Sequence, residues 1–284
     1  MIYYYAHSGH KVGLDRVRRG VAFLSKLRES GQECQLLVND FRAGLAGQDW
    51  GGREYVTLET VQDIDAIVGH EDSLIMDSIE DEHGRLVKFC HEFKNVWRMA
   101  HDEEDKSIHG ETLFRVDCKD EDCEEAIIID DRYFETHEKE QRVLFFLGDS
   151  DYEKIVLSNE AFFKAVPMEM LLGNYFFVKY EDDLAKLFSI LHEPEDYVEL
   201  IQSSATIVTA SSQTALEAKA GGAKVIYLNI EKDAIYPLET LKAYGVETVE
   251  GFDSDCVNSL IKSPKSSDGK QIEKINDTNI LKKA

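Results

Sequence analysis

The chain has 284 residues, of which 43% are hydrophobic, and a formal net charge of −23. This length allows one large domain or two domains of roughly 140 residues, each able to bury a core. The acidic balance argues against a nucleic-acid partner, because phosphate binding requires clusters of Lys and Arg.

Apolar segments of strand length alternate with helical patterns through the first half of the chain. The helix predicted at 16–30 repeats its apolar residues at helical spacing and ends at Gly31. This alternation is typical of a parallel sheet covered on both faces. The predicted strands are 2–6, 34–38, 55–58, 73–77, 95–100 and 126–130, and further predicted helices are 61–70 and 84–93.

The same rhythm restarts in the second half, where the strand within QRVLFFLGDSDYEK (141–154) ends in a glycine and acidic residues. It continues through the aromatic segment 174–180. We therefore predict two α/β domains, 1–136 and 137–284, with a terminal helix or loose tail from about Lys262. The elements predicted here are helices around 182–191, 195–204 and 213–222, and strands 205–209 and 224–229.

The five cysteines are odd in number and scattered, which favours reduced thiols in a reducing compartment. Cys118 and Cys123 are the close pair, but their spacing differs from the usual zinc pattern. We interpret DCKDEDCEE and HDEEDK as solvated acidic loops, and predict no metal site and no cofactor. No apolar run of 18 residues and no cleavable leader is present, so we expect a cytoplasmic protein without membrane insertion.

The loop AHSGHKVGLD (6–15) is the first candidate site. It follows a strand and enters a basic helix, an order in which backbone N–H groups and the helix N-terminus face a ligand. Residues 1–50 hold seven Lys or Arg against five Asp or Glu. A small anionic ligand is therefore favoured at this end, since screening makes the local charge balance matter more than the global one.

The second candidate site is the start of the predicted helix in ASSQTALEAKAGG (210–222). The hydroxyls and unpaired N–H groups of a helix N-terminus, together with the helix dipole, can receive a diphosphate. The alternative is that Ser and Thr only cap an ordinary helix whose small residues pack on the sheet. The first-turn residues concerned are Ser211, Ser212, Gln213 and Thr214.

Taken together, SGHKVGLDRVRRGVAFLSKLRESG and ASSQTALEAKAGGAKVIYLN resemble the GT-B family of nucleotide-sugar enzymes. The resemblance implies an α/β fold of GT-B type, with two Rossmann-like domains facing across a cleft. The size, the strand–glycine start VLFFLGDSD and the DS pair after LIMD most resemble one branch, the UDP-2,4-diacetamido-2,4,6-trideoxy-β-L-altropyranose hydrolases of pseudaminic acid biosynthesis.

The resemblance also implies roles for particular residues. His10 matches a histidine proposed to act on the water that attacks the anomeric carbon, and His7 competes for that role. Glu217 matches a glutamate that accepts hydrogen bonds from both ribose hydroxyls. Implied substrate-binding residues are Ser8, Gly9, Lys11, Arg16, Arg19, Asp77 and Ser78, and implied nucleotide-binding residues are Gly148, Ser211, Ser212, Gln213, Thr214 and Glu217.

Three features keep alternatives open. The loop after His10 is about six residues longer than in the family, so either Arg16 or Arg19 takes the family's arginine role. Asp77 and Ser78 contact the sugar or cap a strand end. We interpret Asp149 and Asp151 as part of an acidic loop that closes the interdomain cleft, and the alternative is that they ligate a metal ion.

The predicted function is hydrolysis of a UDP-activated deoxy-amino sugar, in which water attacks the anomeric carbon and UDP leaves. The alternatives are a GT-B glycosyltransferase that uses a UDP-sugar donor and a noncatalytic nucleotide-sugar binding protein. The expected partner is a UDP-sugar, and the expected state is a monomer or weak homodimer.

Overall fold

The computed structural model describes residues 1–118, 122–230, 234–265 and 269–275. Within these residues the chain divides into two compact units of parallel α/β structure. The first unit comprises Met1–Asp130 together with residues 274–275, and the second comprises Asp131–Glu273.

The first unit is built around a sheet with strand order β3-β2-β1-β4-β5-β6-β7, in which every neighbouring pair is parallel. Its elements are β1 (Ile2–Ala6), α1 (Asp15–Glu29), β2 (Cys34–Val38), α2 (Phe41–Asp49), β3 (Tyr55–Thr57), a 3-10 helix (Val61–Ala66), β4 (Ser73–Asp77), α3 (Arg85–Glu92), β5 (Asn95–Met99), β6 (Thr112–Arg115) and β7 (Cys123–Glu125).

Helix α1 packs closely against the first strand of this sheet. Gly20 allows the approach, because a Cβ there would lie 2.8 Å from the ring of Tyr4. The apolar face of α1 is buried, and the helix ends before Gly31, whose φ of +83° suits glycine. The close packing brings the arginines on α1 to the carboxyl end of the neighbouring strand β4.

The second unit has a parallel sheet with strand order β10-β9-β8-β11-β12-β13. Its elements are a 3-10 helix (Asp131–Phe134), β8 (Glu140–Phe146), α4 (Ile155–Ser158), α5 (Glu160–Ala165), β9 (Glu169–Leu171), α6 (Val178–Leu184), β10 (Leu191–His192), a 3-10 helix (Pro194–Asp196), α7 (Tyr197–Ser203), β11 (Ser204–Thr209), α8 (Ser212–Ala220), β12 (Lys224–Asn229), α9 (Leu238–Ala243), β13 (Glu247–Glu250) and α10 (Ser254–Lys262).

An aromatic core lies under the second sheet. Phe145 on β8 contacts Phe163 and Phe188, with ring centroids 5.0 and 6.0 Å apart, and all three rings are buried. In the first unit, one face of the sheet is covered by the segment between β3 and β4 and by α3, through residues such as Ile64 and Phe89. Burial of such side chains supplies the main driving force for folding each unit.

Each sheet has a point where the strand order reverses. In the first, β1 leads outward to β2 while β4 lies on the opposite side, so the switch point lies between β1 and β4. In the second it lies between β8 and β11. Ligands in open parallel sheets bind beyond the carboxyl ends of the strands at this point. The register places Ala6 beside Asp77 and Phe146 beside Thr209, so both candidate loops begin there.

Several predicted elements differ from the structure. The predicted strand 126–130 forms no strand; the edge strand is β7, immediately before it, and the buried apolar residues that follow leave the sheet. Segment 174–180 contains a turn and then enters α6, which ends at Leu184 rather than continuing through the predicted 182–191. Short apolar runs do not distinguish strands from other buried segments.

The predicted C-terminal tail is only partly described. Helix α10 ends at Lys262, and residues 263–265 and 269–275 contain no helix or strand. The rest of the predicted tail lies outside the described residues.

The expectation that all cysteines are free thiols is wrong for one pair. Cys118 and Cys123 form a disulfide, with Cα atoms 5.7 Å apart, which joins the segment just after β6 to the first residue of β7. Cys34, Cys90 and Cys256 are free. The acidic run 117–125 is therefore not simply a solvated loop; it includes β7, and residues 119–121 lie outside the described part.

The other acidic run, 101–106, is anchored rather than freely solvated. Arg98, which is 8% exposed, donates two hydrogen bonds to Asp105 and one to Glu111. Burial raises the pKa of Asp105, but the hydrogen bonds from Arg98 and from the His101 N–H outweigh it and lower the pKa to about 2. The network holds the segment between β5 and β6.

Candidate functional site

The long first loop folds into a compact turn at the carboxyl end of β1. The N–H groups of Val12 and Gly13 donate to the carbonyl of Gly9, at 3.0 and 2.8 Å, and Gly13 has a φ of +72° that favours glycine. Asn39, just after β2, accepts from the Ser8 N–H at 2.8 Å and donates to the Ser8 carbonyl at 2.9 Å. These bonds hold the loop in a compact turn and fix Ser8 at the sheet edge.

A buried ion cluster joins α1 to the end of β4. Asp77 is 1% exposed and accepts two hydrogen bonds from Arg19, at 2.9 and 2.7 Å, and one from the Tyr4 hydroxyl at 2.7 Å. Arg16 lies 3.5 Å from the same carboxylate. Two arginines of α1 therefore surround one buried aspartate at the end of β4.

The two histidines of the loop have different surroundings. His10 is exposed, as is Lys11, whereas His7 is half-buried. Its Nδ1 atom is buried and has no hydrogen-bond partner among the described residues. Burial lowers the pKa of His7; Glu80 and Asp77 act in the opposite direction, and Arg16 acts in the same direction as burial. Burial therefore favours the neutral form of the His7 imidazole. Ser78 is half-buried and accepts from the Glu80 N–H.

In the second unit, Ser211 caps α8 at the carboxyl end of β11. Its hydroxyl accepts from the Thr214 N–H at 3.0 Å and donates to the Thr214 hydroxyl at 2.8 Å. The Ser211 N–H donates to Thr209, and the Ser212 hydroxyl accepts from the Tyr236 N–H. The alternative interpretation, that Ser211 caps the helix, is therefore correct as far as it goes, and binding of a nucleotide there stays a prediction. The Ser211 hydroxyl is used within the loop, so backbone N–H groups of the first helical turn are the donors best suited to a diphosphate.

Glu217 lies one turn further along α8 and is 2% exposed. Its Oε1 atom accepts from the amide nitrogen of Gln213 at 2.9 Å, and its Oε2 atom accepts from the Tyr197 hydroxyl at 2.6 Å. The Tyr197 hydroxyl also lies 2.8 Å from that of Thr214. The bonds from Gln213 and Tyr197 fix both oxygens of the Glu217 carboxylate.

The loop after β8 packs against the loop after β9 at the same sheet edge. Gly148 has a φ of +137°, and a Cβ at Gly173 would lie 2.5 Å from the backbone of Gly148 and Asp149. Asn174 donates to the Asp149 side chain at 3.0 Å. Only glycine at 173 permits this backbone contact, which fixes the position of Gly148.

The carboxylate of Asp151 is held by hydrogen bonds within the protein, unlike the open arrangement of a metal ligand. It is 8% exposed, and its carboxylate accepts from the N–H groups of Ile155 and Val156 and from the Tyr180 hydroxyl. These bonds cap α4. The described residues contain no group of three or more His, Cys, Asp or Glu arranged to hold a metal ion.

A groove of about 680 Å³ lies at the opposite edge of the first sheet, where β1 and β2 begin. Arg28 and Arg53 line it together with Glu33 and Glu54. Because this is the amino edge of a parallel sheet, it lies away from the usual position of a ligand. Among the described residues, no helix is both long and apolar enough to cross a membrane.

No protein-family model and no curated protein sequence matches the chain. Solved structures do. S. aureus MnaA in complex with UDP is 15% identical, with a TM-score of 0.55 over 92% of this chain and 88% of that one. UDP-GlcNAc 2-epimerase from Neisseria meningitidis bound to UDP-GlcNAc is 12% identical, with a TM-score of 0.52 over 92% of each chain. The glycosyltransferase SnogD from Streptomyces nogalater is also 12% identical, with a TM-score of 0.52 over 92% and 90%.

The chain has the GT-B fold. At these identities the similarity shows the fold alone. The predicted fold class is confirmed for its two parallel α/β sheets with interleaved helices.

Within each unit of this GT-B chain, the predicted residues lie at one sheet edge. The first unit gathers residues of the β1 loop, α1 and the end of β4; the second gathers residues of the β8 loop and α8. Sequence reasoning missed three residues that position them: Asn39, Gly173 and Tyr197. Two of them could have been found from sequence patterns, because Asn39 follows a strand and Gly173 belongs to a Gly-Asn turn signal. No sequence pattern pointed to Tyr197.

Proposed function

We propose that the chain is a nucleotide-sugar hydrolase that acts on a UDP-activated deoxy-amino sugar. The observation that carries the proposal is the position of the capped start of α8 and of Glu217, which follow β11 at the switch point of the second sheet. Diphosphates bind at helix N-termini in such positions. MnaA and the Neisseria epimerase, which share the GT-B fold, were solved with UDP and UDP-GlcNAc respectively.

In this proposal the nucleotide binds the second unit. The first-turn N–H groups of α8 bind the diphosphate, Glu217 accepts from the ribose hydroxyls, and Gly148 lets the backbone of the β8 loop approach the ligand. The hydroxyl groups of Ser211 and Thr214 shape this loop rather than donate to phosphate, since they bond to each other.

The loop of the first unit supplies the chemistry. His10 accepts a proton from water as its oxygen forms a bond to the anomeric carbon; the bond from that carbon to the UDP oxygen breaks, and UDP leaves with the electron pair. Positive charge favours this departure. Arg16 and Lys11 are the proposed sources of this charge; Arg19 donates two hydrogen bonds to Asp77, and Arg16 lies 3.5 Å from the same carboxylate.

The proposed identity of the proton acceptor has one competitor in the same loop. Burial lowers the pKa of His7 and favours its neutral imidazole, and its buried Nδ1 atom has no hydrogen-bond partner among the residues that the structure describes. His10 is exposed and follows Gly9 in the turn. Substitution distinguishes the two, because the proton acceptor is required for turnover and not for nucleotide binding.

The test measures UDP release from a panel of UDP-sugars without an added acceptor. We expect release by the wild-type protein, loss of about 10²-fold or more in His10→Ala, and unchanged UDP affinity in that variant. His91→Ala, an exposed histidine on α3, is the matched control. Loss in His7→Ala with activity kept in His10→Ala would transfer the role to His7.

Other outcomes overturn the proposal. UDP binding without release would favour a glycosyltransferase that lacks its acceptor, or a noncatalytic binding protein. Conversion of one UDP-sugar into its epimer without UDP release would place the chain functionally with the epimerases. No binding of UDP would remove the nucleotide-sugar assignment.

A further inference from the structure

A buried chain of hydroxyl groups connects the N-cap of α8 to the Glu217 carboxylate. Ser211 donates to Thr214, Thr214 lies 2.8 Å from the Tyr197 hydroxyl, and Tyr197 donates to Glu217 at 2.6 Å. Tyrosine has a single hydroxyl proton, and an ionised carboxylate can only accept. The Tyr197 hydroxyl therefore donates its hydrogen bond to Glu217, and the Thr214 hydroxyl donates to Tyr197.

The direction of this chain is set by the carboxylate. Starting at the Thr214 N–H, each donor points to the next oxygen until the final proton reaches Glu217 Oε2. All four residues are 2% exposed or less. In a site with so little water, hydrogen bonds polarise one another and a misdirected hydroxyl is costly.

Tyr197 is the member of the chain that comes from another element. It begins α7, and its ring packs edge-on against Phe146, the last residue of β8, with centroids 5.3 Å apart. Its hydroxyl is thereby fixed relative to the end of β8 as well as to α8. The carboxylate of Glu217 is bonded on one oxygen by Tyr197 and on the other by Gln213, which defines its plane.

We propose that Tyr197 is a positioning residue that holds the Glu217 carboxylate in the orientation that recognises ribose hydroxyls, and so sets a preference for ribonucleotides over dideoxynucleotides. This inference rests on the proposed function, because it takes the second unit to be the nucleotide site. Tyr197 acts through Glu217 and does not itself contact the ligand.

A purely structural role for Tyr197 predicts a different result. Loosening of α7 against α8 would weaken every nucleotide by a similar factor, whatever its sugar. Misorientation of Glu217 weakens only ligands with ribose hydroxyls. The ratio of the Kd for 2′,3′-dideoxy-UDP to the Kd for UDP separates these effects.

The experiment measures both Kd values by calorimetry for the wild-type chain, Tyr197→Phe and Tyr5→Phe. Tyr5 is the matched control, since it is 0% exposed and its hydroxyl donates to a glutamate, Glu80, at the same 2.6 Å but in the first unit. We expect a ratio of about 10 or more in the wild type and in Tyr5→Phe, and a ratio below about 3 in Tyr197→Phe.

Thr214→Val provides a second variant, in which Tyr197 itself is unchanged. It removes the donor that orients the Tyr197 hydroxyl, so we expect the ratio to fall part of the way. If Tyr197→Phe does not fold, this variant alone decides.

Each remaining outcome contradicts a specific statement. Wild-type binding with an unchanged ratio in the variants overturns the role of Tyr197 and leaves the proposed function intact. Equal weakening of both nucleotides assigns Tyr197 to structure only. A wild-type chain that binds neither nucleotide overturns the proposed function and, with it, this inference.

Discussion

Replacement of Asp77 by Asn is expected to destabilise the first unit strongly. The carboxylate is 1% exposed and neutralises Arg19 through two hydrogen bonds, with Arg16 3.5 Å away and a further bond from Tyr4. Removing one partner of a buried ion pair costs about 3–5 kcal/mol, because the other charge stays buried without compensation. Here two arginines lose their counter-charge, so we expect a value in that range.

Urea unfolding monitored by circular dichroism measures this effect. For an m value of about 2 kcal/mol/M, a loss of about 4 kcal/mol lowers the midpoint of the first unit's transition by about 2 M. Asp65→Asn is the matched control, since Asp65 pairs with Arg85 and Lys88 where all three side chains are partly exposed, and it should cost about 1 kcal/mol or less.

The double variant Asp77→Asn with Arg19→Leu tests whether the cost comes from the arginine that is left without its counter-charge. If the cost of Asp77→Asn comes from an uncompensated arginine, the double variant loses less than the sum of the two single losses. A cost below about 1 kcal/mol for Asp77→Asn, or strictly additive losses, would refute the account of this cluster.

Three further predictions concern other parts of the chain. Because the pKa of Asp105 is lowered to about 2, its ion pair stabilises the fold at a pH above the unfolded-state pKa of about 3.9, and this contribution is lost as the pH falls from about 4 to about 2. In urea unfolding at pH 7, the free energy of unfolding of the wild type should exceed that of Asp105→Asn by about 1 kcal/mol. This difference should disappear below a pH of about 2. Gly173→Ala places a methyl group 2.5 Å from neighbouring backbone and should lower both the Tm and the UDP affinity. Gly221→Ala is the control and should change neither, since no atom lies closer than 3.5 Å to the added methyl group. Equal Tm values for the two variants would contradict this prediction. Replacing Cys118 and Cys123 by Ser opens a short loop and should cost about 2 kcal/mol, and a reductant should lower the Tm of the wild type but not of the variant.

The regular part of the fold was accessible from the sequence because its signals are strong and local. The strands 2–6, 34–38 and 73–77 were predicted with the bounds that the structure shows. Apolar residues dominate each of them, with Gln35, Ser73 and Asp77 as the polar exceptions, as is typical of buried parallel strands. Short edge strands such as β10, with two residues, carry too little pattern to be predicted from periodicity.

The candidate sites were partly predictable for the same reason. Glycines and small polar residues after strands mark the loops at the carboxyl edges, so the positions of Gly9 and Ser211 follow from the sequence. The hydrogen-bond partners of the side chains cannot be predicted in this way, because they depend on packing between elements. Two examples are the hydrogen bonds from Arg19, rather than Arg16, to Asp77 and the hydrogen bond from Tyr197 to Glu217, 20 residues further along the chain.

The most direct test of the central claim is to run the reaction with a UDP-sugar in H₂¹⁸O and to locate the label by mass spectrometry at early times. Attack of water on the anomeric carbon predicts that the released UDP is unlabelled and that the sugar carries one ¹⁸O. Label in the nucleotide would show attack at phosphorus, and release of UDP with no label in either product would exclude water as the nucleophile; either result would contradict the proposed hydrolysis.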